Sequence, residues 1–148
     1  MWLLTTTTDP PVLKPFYGSI PDYVILSHTW GEEEVSFQEL QSGTGRDKVG
    51  YQKIKKCCEQ AARDGFKFAW VDTCCIDKSS SAELSEAINS MFQWYKDSHI
   101  CYAFLDDVDS GLEEAQLKNP LENSRWFTRG WTLQELIAPL AVEFYSHD

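Results

Sequence analysis

The sequence predicts an α/β domain built on a parallel β-sheet. Three observations indicate this class: short apolar runs typical of buried strands, amphipathic helical segments between them, and short connections joining the two. Alternating strands and helices with short connections form βαβ units, and these give a parallel sheet with right-handed crossovers. The 148 residues fit a single domain spanning 1–148, and a 43% hydrophobic composition suffices for one core without disulfides or metal.

The first two strands flank a helix. Residues 23–27 follow Pro21 as a continuous apolar run, which is typical of a strand buried on both faces. Residues 51–63 carry apolar side chains at helical spacing, and Gly65 follows where a helix ends. Residues 66–72 form the next apolar run. The segment 23–72 therefore predicts one βαβ unit.

The second half of the chain repeats this alternation. Ser80 and Glu83 form a capping box, which opens a helix whose apolar stripe is Leu84, Ile88, Met91 and Tyr95. Residues 100–105 are the third strand, and a polar loop runs from there to about residue 123. Residues 126–138 are helical in their later part, Pro139 ends that helix, and residues 142–145 begin a fourth strand.

The charge is strongly acidic overall but unevenly distributed. A net charge of −10 argues against a nucleic-acid surface, which needs a basic footprint. Residues 46–67, however, hold seven Lys and Arg against three acids, so this segment is +4. Such a segment can bind an acidic partner or a second copy of the chain, or it can be an ordinary solvated face.

The cysteines and the N-terminus indicate a cytoplasmic protein. Five cysteines occur as two vicinal pairs and a lone Cys101, without the CxxC spacing of a zinc site, so we expect reduced thiols and no metal. The first residues lack a basic region and a long apolar run, so we expect no signal peptide. No stretch reaches the ~20 apolar residues of a membrane helix, so we expect no membrane segment.

Polar residues stand at the carboxyl ends of the predicted strands. Ser27 and His28 end the first strand, Asp72 ends the second, and residues 106–107 end the third. Ligands of parallel α/β sheets bind beyond these ends. His28 suits either a ligand contact or a hydrogen bond that shapes the next loop. Asp72 suits a contact to a ligand hydroxyl or a cap on residues 73–76.

Three motifs carry a family resemblance. Residues 23–31 read YVILSHTWG, residues 70–77 read WVDTCCID, and residues 124–139 read SRWFTRGWTLQELIAP. Together they resemble the fungal heterokaryon-incompatibility (HET) domain, with the third motif the most specific. Trp2 and Lys78 depart from the family pattern, where we expect Arg and Gln.

The HET family in turn resembles TIR domains. That resemblance implies a flavodoxin-like (TIR-like) parallel sheet of four to five strands with helices on both faces. Only four strands are visible before Asp148. The fifth is therefore missing, replaced by the N-terminal segment, or absent from a cut-down domain that lacks its last strand and helix.

The resemblance also implies a function. Many TIR domains cleave NAD at the nicotinamide–ribose bond with a glutamate that Glu135 matches. This implies a programmed-cell-death or incompatibility signalling domain acting as an NAD glycohydrolase, with NAD as substrate and no cofactor. The alternative is a non-catalytic, self-associating signalling module of the same fold. Either version implies self-association or binding to another death-signalling protein.

The chemistry of that reaction suits the residues present. Cleavage develops an oxocarbenium-like ribose, which one carboxylate, Glu135, stabilises in the transition state. Trp30 and Trp131 are the candidate aromatic faces for the rings of NAD. Trp131 and Glu135, at i and i+4, share a helix face.

Two further expectations concern the neighbours of that helix. Arg129, like Arg125, suits bidentate contacts to the NAD phosphates, or ion pairs with the aspartates at 106, 107 and 109. The other face of the helix carries four apolar residues that we expect to face the core: Leu133, Leu136, Ile137 and Leu140. The predicted substrate-binding set is Ser27, His28, Trp30, Asp72, Arg129 and Trp131.

Overall fold

A computed structural model describes residues 1–109, 111 and 120–146, which form an α/β domain around one six-stranded sheet. The strands are β1 Trp2–Thr5, β2 Leu13–Pro15, β3 Val24–His28, β4 Phe68–Val71, β5 Cys101–Phe104 and β6 Val142–Tyr145, in the order β2-β1-β4-β3-β5-β6. The helices are α1 Phe37–Ser42, α2 Val49–Arg63, α3 Ser81–Asp97 and α4 Thr132–Ile137, and a 3-10 turn covers Arg125–Thr128. Most of the predicted polar loop between residues 105 and 123 lies outside the described residues.

The four predicted strands are confirmed as the parallel part of the sheet. All five residues of β3 are buried, and β3 pairs in parallel with β4 on one side and β5 on the other. Ile25 is the register partner of both Trp70 and Cys101. This central position follows from the continuous apolar run of β3, which needs cover on both faces.

The predicted count of four to five strands is wrong, because the N-terminal segment adds two antiparallel strands. β1 pairs with β4, with Leu4 opposite Ala69, and β2 pairs with β1 at the sheet edge. β1 reads WLLT without alternation of apolar and polar residues, and β2 has only three residues. The α/β class is confirmed, and the narrower flavodoxin-like assignment stays a prediction.

Helices cover both faces of the sheet. On one face, α2 packs against the sheet and buries Ile54. The Tyr102 hydroxyl donates a hydrogen bond to Asp64, the residue directly after α2. On the other face, the Trp70 ring packs edge-on against two rings of α3, with centroids 5.5 Å from Trp94 and 6.1 Å from Tyr95. The predicted start of α3 is confirmed, because the Ser80 hydroxyl accepts from the backbone N–H of Glu83 at 3.3 Å.

The predicted orientation of α4 is wrong. The four apolar residues expected in the core are exposed, with Leu133 67% and Leu140 93% accessible, whereas Glu135 is only 2% exposed. The short helix buries Thr132 and Glu135. A carboxylate can occupy the inner face because a guanidinium and a hydroxyl both donate hydrogen bonds to it.

The cysteine prediction is confirmed, since all five thiols are free and buried. No helix in the described ranges is both long and apolar enough to cross a membrane. Within the same ranges, no three His, Cys, Asp or Glu side chains form a group that could hold a metal ion.

Candidate functional site

A cleft of about 520 Å³ opens beyond the carboxyl ends of β3 and β4, between α3 and α4. Its polar and aromatic lining comes from the loops that follow the two strands and from the start of α4, and its apolar wall comes from α3. The polar and aromatic lining residues are Thr29, Trp30, Asp72, Lys78, Arg129, Trp131 and Glu135. Five of the seven predicted site residues therefore line one cavity.

Glu135 lies at the buried side of this cleft and is held by three hydrogen bonds. Arg129 donates one to each carboxylate oxygen, both at 2.9 Å, and Ser27 Oγ donates another to Oε2 at 2.5 Å. The Ser27 hydroxyl in turn accepts from Trp126 Nε1 at 2.7 Å. Two parallel bonds from a guanidinium fix both the position and the orientation of a carboxylate.

Asp72 is the centre of a second network. His28 Nε2 and Asp72 Oδ1 are 2.9 Å apart, and Trp30 Nε1 donates to Oδ2 at 2.9 Å. Lys53 Nζ lies 3.1 Å from His28 Nδ1. An ammonium group can only donate, so Nδ1 accepts from Lys53 and Nε2 donates to Asp72. The end of β3 thus orients Asp72, which in turn orients the Trp30 ring.

The environment of Asp72 favours its charged form. Burial raises the pKa of this carboxyl, but the hydrogen bonds from His28 and Trp30 and the positive charge of Lys78 outweigh burial and lower the pKa below its ordinary value. Asp72 is therefore a fixed anion in the wall of the cleft.

The alternation of side chains along a strand explains why β3 supports both networks. Successive residues point to opposite faces, so Ser27 points to the side of α4 and His28 to the side of α2. Neither side chain lines the cleft itself. Each instead forms a hydrogen bond to a carboxylate that lines the cleft, Ser27 to Glu135 and His28 to Asp72.

Two roles are predicted for each of Arg125, Arg129 and Asp72, and their contacts in the structure show which one each residue takes. Arg129 pairs with Glu135, whereas Arg125 bonds to Asp106 at 2.7 Å and lies 3.5 Å from Asp107. Residues 106–107 therefore do not join this cleft. Asp72 uses its carboxylate on His28 and Trp30 and not as a cap on the following loop.

Sequence reasoning missed two polar residues of the cleft. Lys78 places its ammonium 4.0 Å from the centroid of the Trp30 ring. The hydroxyl of Thr29 is buried and has no hydrogen-bond partner. Thr29 lies within the first motif and Lys78 directly follows the second, but neither is a residue type that suggests catalysis.

Comparison with known proteins identifies the family to which the chain belongs. The family model described as "Heterokaryon incompatibility protein (HET)" matches residues 23–118. The chain therefore belongs to the HET family, which confirms the resemblance.

One relative is the vegetative incompatibility protein HET-E-1 of Podospora anserina, which is 58% identical over 137 residues. The match covers 88% of this chain and 10% of the relative, so the chain spans about a tenth of that protein's length. No solved structure matches the chain significantly.

Proposed function

We propose that this domain acts in heterokaryon-incompatibility signalling as a TIR-like NAD glycohydrolase, with Glu135 as the catalytic carboxylate. The observation that carries the proposal is the position of Glu135: a buried carboxylate at the edge of a cleft that also holds two tryptophans, Arg129 and Asp72. Membership of the HET family and the incompatibility function named for the relative support the biological setting. Five unpaired buried thiols suit the cytoplasm.

The proposed reaction breaks the bond between C1′ of the ribose and the nicotinamide nitrogen. The bonding electrons leave with nicotinamide, which becomes a neutral base and needs no general acid. The ribose carbon becomes oxocarbenium-like, and the Glu135 carboxylate offsets its positive charge. Water then adds to C1′ and loses a proton, giving ADP-ribose. Trp30 and Trp131, each about half exposed, offer ring faces for the planar ends of NAD.

Catalysis also requires Glu135 to be released. Both of its oxygens accept hydrogen bonds from Arg129, so the guanidinium neutralises its charge. The pyrophosphate of NAD is an alternative bidentate partner for this guanidinium. We propose that Arg129 moves from Glu135 to the pyrophosphate when NAD binds, which exposes the carboxylate to the ribose only in the occupied site.

A second candidate is a non-catalytic, self-associating signalling module. The observation in its favour is the exposed apolar surface of α4, formed by Leu133, Leu136 and Ile137, which is unusual for a helix that faces only water. On this account, the Arg129–Glu135 pair only braces the start of α4.

Expression in a fungal host separates the two candidates. The glycohydrolase predicts growth arrest together with loss of cellular NAD, and Glu135→Gln abolishes both. Glu59→Gln is the matched control, because Glu59 is exposed on α2 and its ion pair with Lys55 is long, at 3.9 Å. Growth arrest that persists in Glu135→Gln at unchanged NAD would instead establish the signalling module.

A further inference from the structure

Each of the two cationic side chains of the cleft contacts a group that the proposed reaction needs. Arg129 occupies both oxygens of Glu135, and Lys78 lies over the ring of Trp30. The Trp30 ring cannot turn away freely, because its indole N–H is bonded to Asp72 at 2.9 Å. Lys78 therefore covers an aromatic face whose orientation is already fixed.

The contact between Lys78 and Trp30 is easily exchanged. A cation–π pair is weak where water reaches it, and both residues are exposed at the mouth of the cleft. A phosphate group is a stronger partner for an ammonium than an aromatic ring is, because the hydrogen bond joins two full charges. A ligand that carries both a planar ring and a phosphate can therefore replace both sides of the contact at once.

Because the chain is acidic, an anionic ligand needs a cationic side chain at its binding site. The chain carries a net charge of −10, so its overall field opposes the approach of an anion. Lys78 and Arg129 are the basic residues that line this cleft among the described residues. The unpartnered Thr29 hydroxyl, buried in the same wall, is a further group that a polar ligand would satisfy.

We propose that Lys78 is the specificity-determining residue that selects phosphorylated nucleotides over nucleosides. The ligand ring displaces the ammonium from Trp30, and the ammonium moves to the ligand phosphate beside Arg129. The inference rests on the proposed function in taking this cleft as the nucleotide site, but it does not require that NAD be cleaved.

Calorimetric titration of the full chain with adenosine and with ADP tests the exchange, because ADP has no nicotinamide bond to cleave. The variant is Lys78→Ala, and the matched control is Lys67→Ala, an exposed lysine directly before the amino end of β4, whereas the cleft lies beyond the carboxyl end of that strand. In Lys78→Ala, we expect ADP to bind about five- to tenfold more weakly, because one charged hydrogen bond is lost. We expect adenosine to bind about two- to fivefold more tightly, because no cation then covers Trp30. Lys67→Ala should match wild type with both ligands.

The expected changes in affinity for ADP and for adenosine have opposite signs. This distinguishes an exchange of Lys78 between Trp30 and phosphate from a general electrostatic effect. Wild-type protein that fails to bind ADP at millimolar concentration overturns the inference, as does equal ADP affinity in wild type and Lys78→Ala. Weaker ADP binding without tighter adenosine binding overturns the displacement from Trp30. Protein that binds ADP through Lys78 yet releases no nicotinamide from NAD leaves this inference intact and contradicts the proposed catalysis.

Discussion

Arg129 and Glu135 form a bidentate ion pair, with two hydrogen bonds of 2.9 Å, in which the carboxylate is buried and the guanidinium is the more exposed partner. The pair joins the segment before α4 to the helix itself, and Ser27 ties it to the central strand. It is the contact on which the stability of this corner and the proposed chemistry both depend.

Removing Arg129 should destabilise the domain strongly. Arg129→Met leaves a buried carboxylate without its counter-charge, and we expect the free energy of unfolding to fall by about 3 kcal/mol. Urea denaturation measures this loss. The double variant Arg129→Met with Glu135→Gln removes the orphaned charge, so it should be more stable than the single variant. A loss below about 1 kcal/mol in Arg129→Met would show that the pair is unimportant for folding.

Stability should fall in acid through Asp72. The pKa of this carboxyl is lowered in the folded state, so its contribution is complete above the unfolded pKa and is lost as pH falls through that value toward the folded one. We expect the free energy of unfolding to decline below about pH 4, near the ordinary pKa of Asp. In Asp72→Asn this decline should be shallower, because the replaced group does not titrate. Identical pH profiles for the two proteins would contradict the assignment.

The five thiols should react slowly in the native protein and completely after unfolding. Burial raises the pKa of Cys58 to about 12 and raises that of Cys57 well above its ordinary value, so the reactive thiolate is scarce at neutral pH. Titration with a thiol reagent in denaturant, without reductant, should count five groups per chain. A count of three or fewer would reveal a disulfide.

Self-association through the basic segment of residues 46–67 remains a prediction. Substitutions on the outer face of α2 can test it. Lys53 is unsuitable for charge reversal because its ammonium bonds to Glu34 and His28 in the interior. The triple variant Lys55→Glu, Lys56→Glu and Arg63→Glu changes the outer face instead. We expect salt to weaken association of the wild type and this variant to abolish it, as sedimentation would show. Wild type that stays monomeric at low salt and high concentration would exclude this interface.

The parallel core and its polar strand ends are predictable from the sequence because both depend on local patterns. Apolar runs locate β3, β4 and β5, and the residues after those runs must meet at one edge of a parallel sheet. The amino-acid sequence alone therefore assigns Ser27, His28 and Asp72 to one region of the domain.

The orientation of α4 could not be predicted in the same way. Its spacing of Leu133, Leu136 and Ile137 indicates a core face, and periodicity alone puts Glu135 in water. The helix turns the other way because Arg129 and Ser27 neutralise and bind the carboxylate, and those contacts span up to 108 positions along the chain. Lys78 was missed for a similar reason, since its contact with Trp30 depends on two loops that only the fold brings together.

The most direct test of the central claim is nicotinamide release from NAD by concentrated, purified domain. The protein is clustered by fusion to a coiled coil, so that a requirement for assembly is met, and chromatography follows the product. The account predicts release by the wild type and by the Glu59→Gln control, and at least about a hundredfold slower release by Glu135→Gln, since the lost charge acts mainly in the transition state. Thermal unfolding checks that the variant remains folded. No release by the clustered wild type, or equal release by folded Glu135→Gln, would contradict the account.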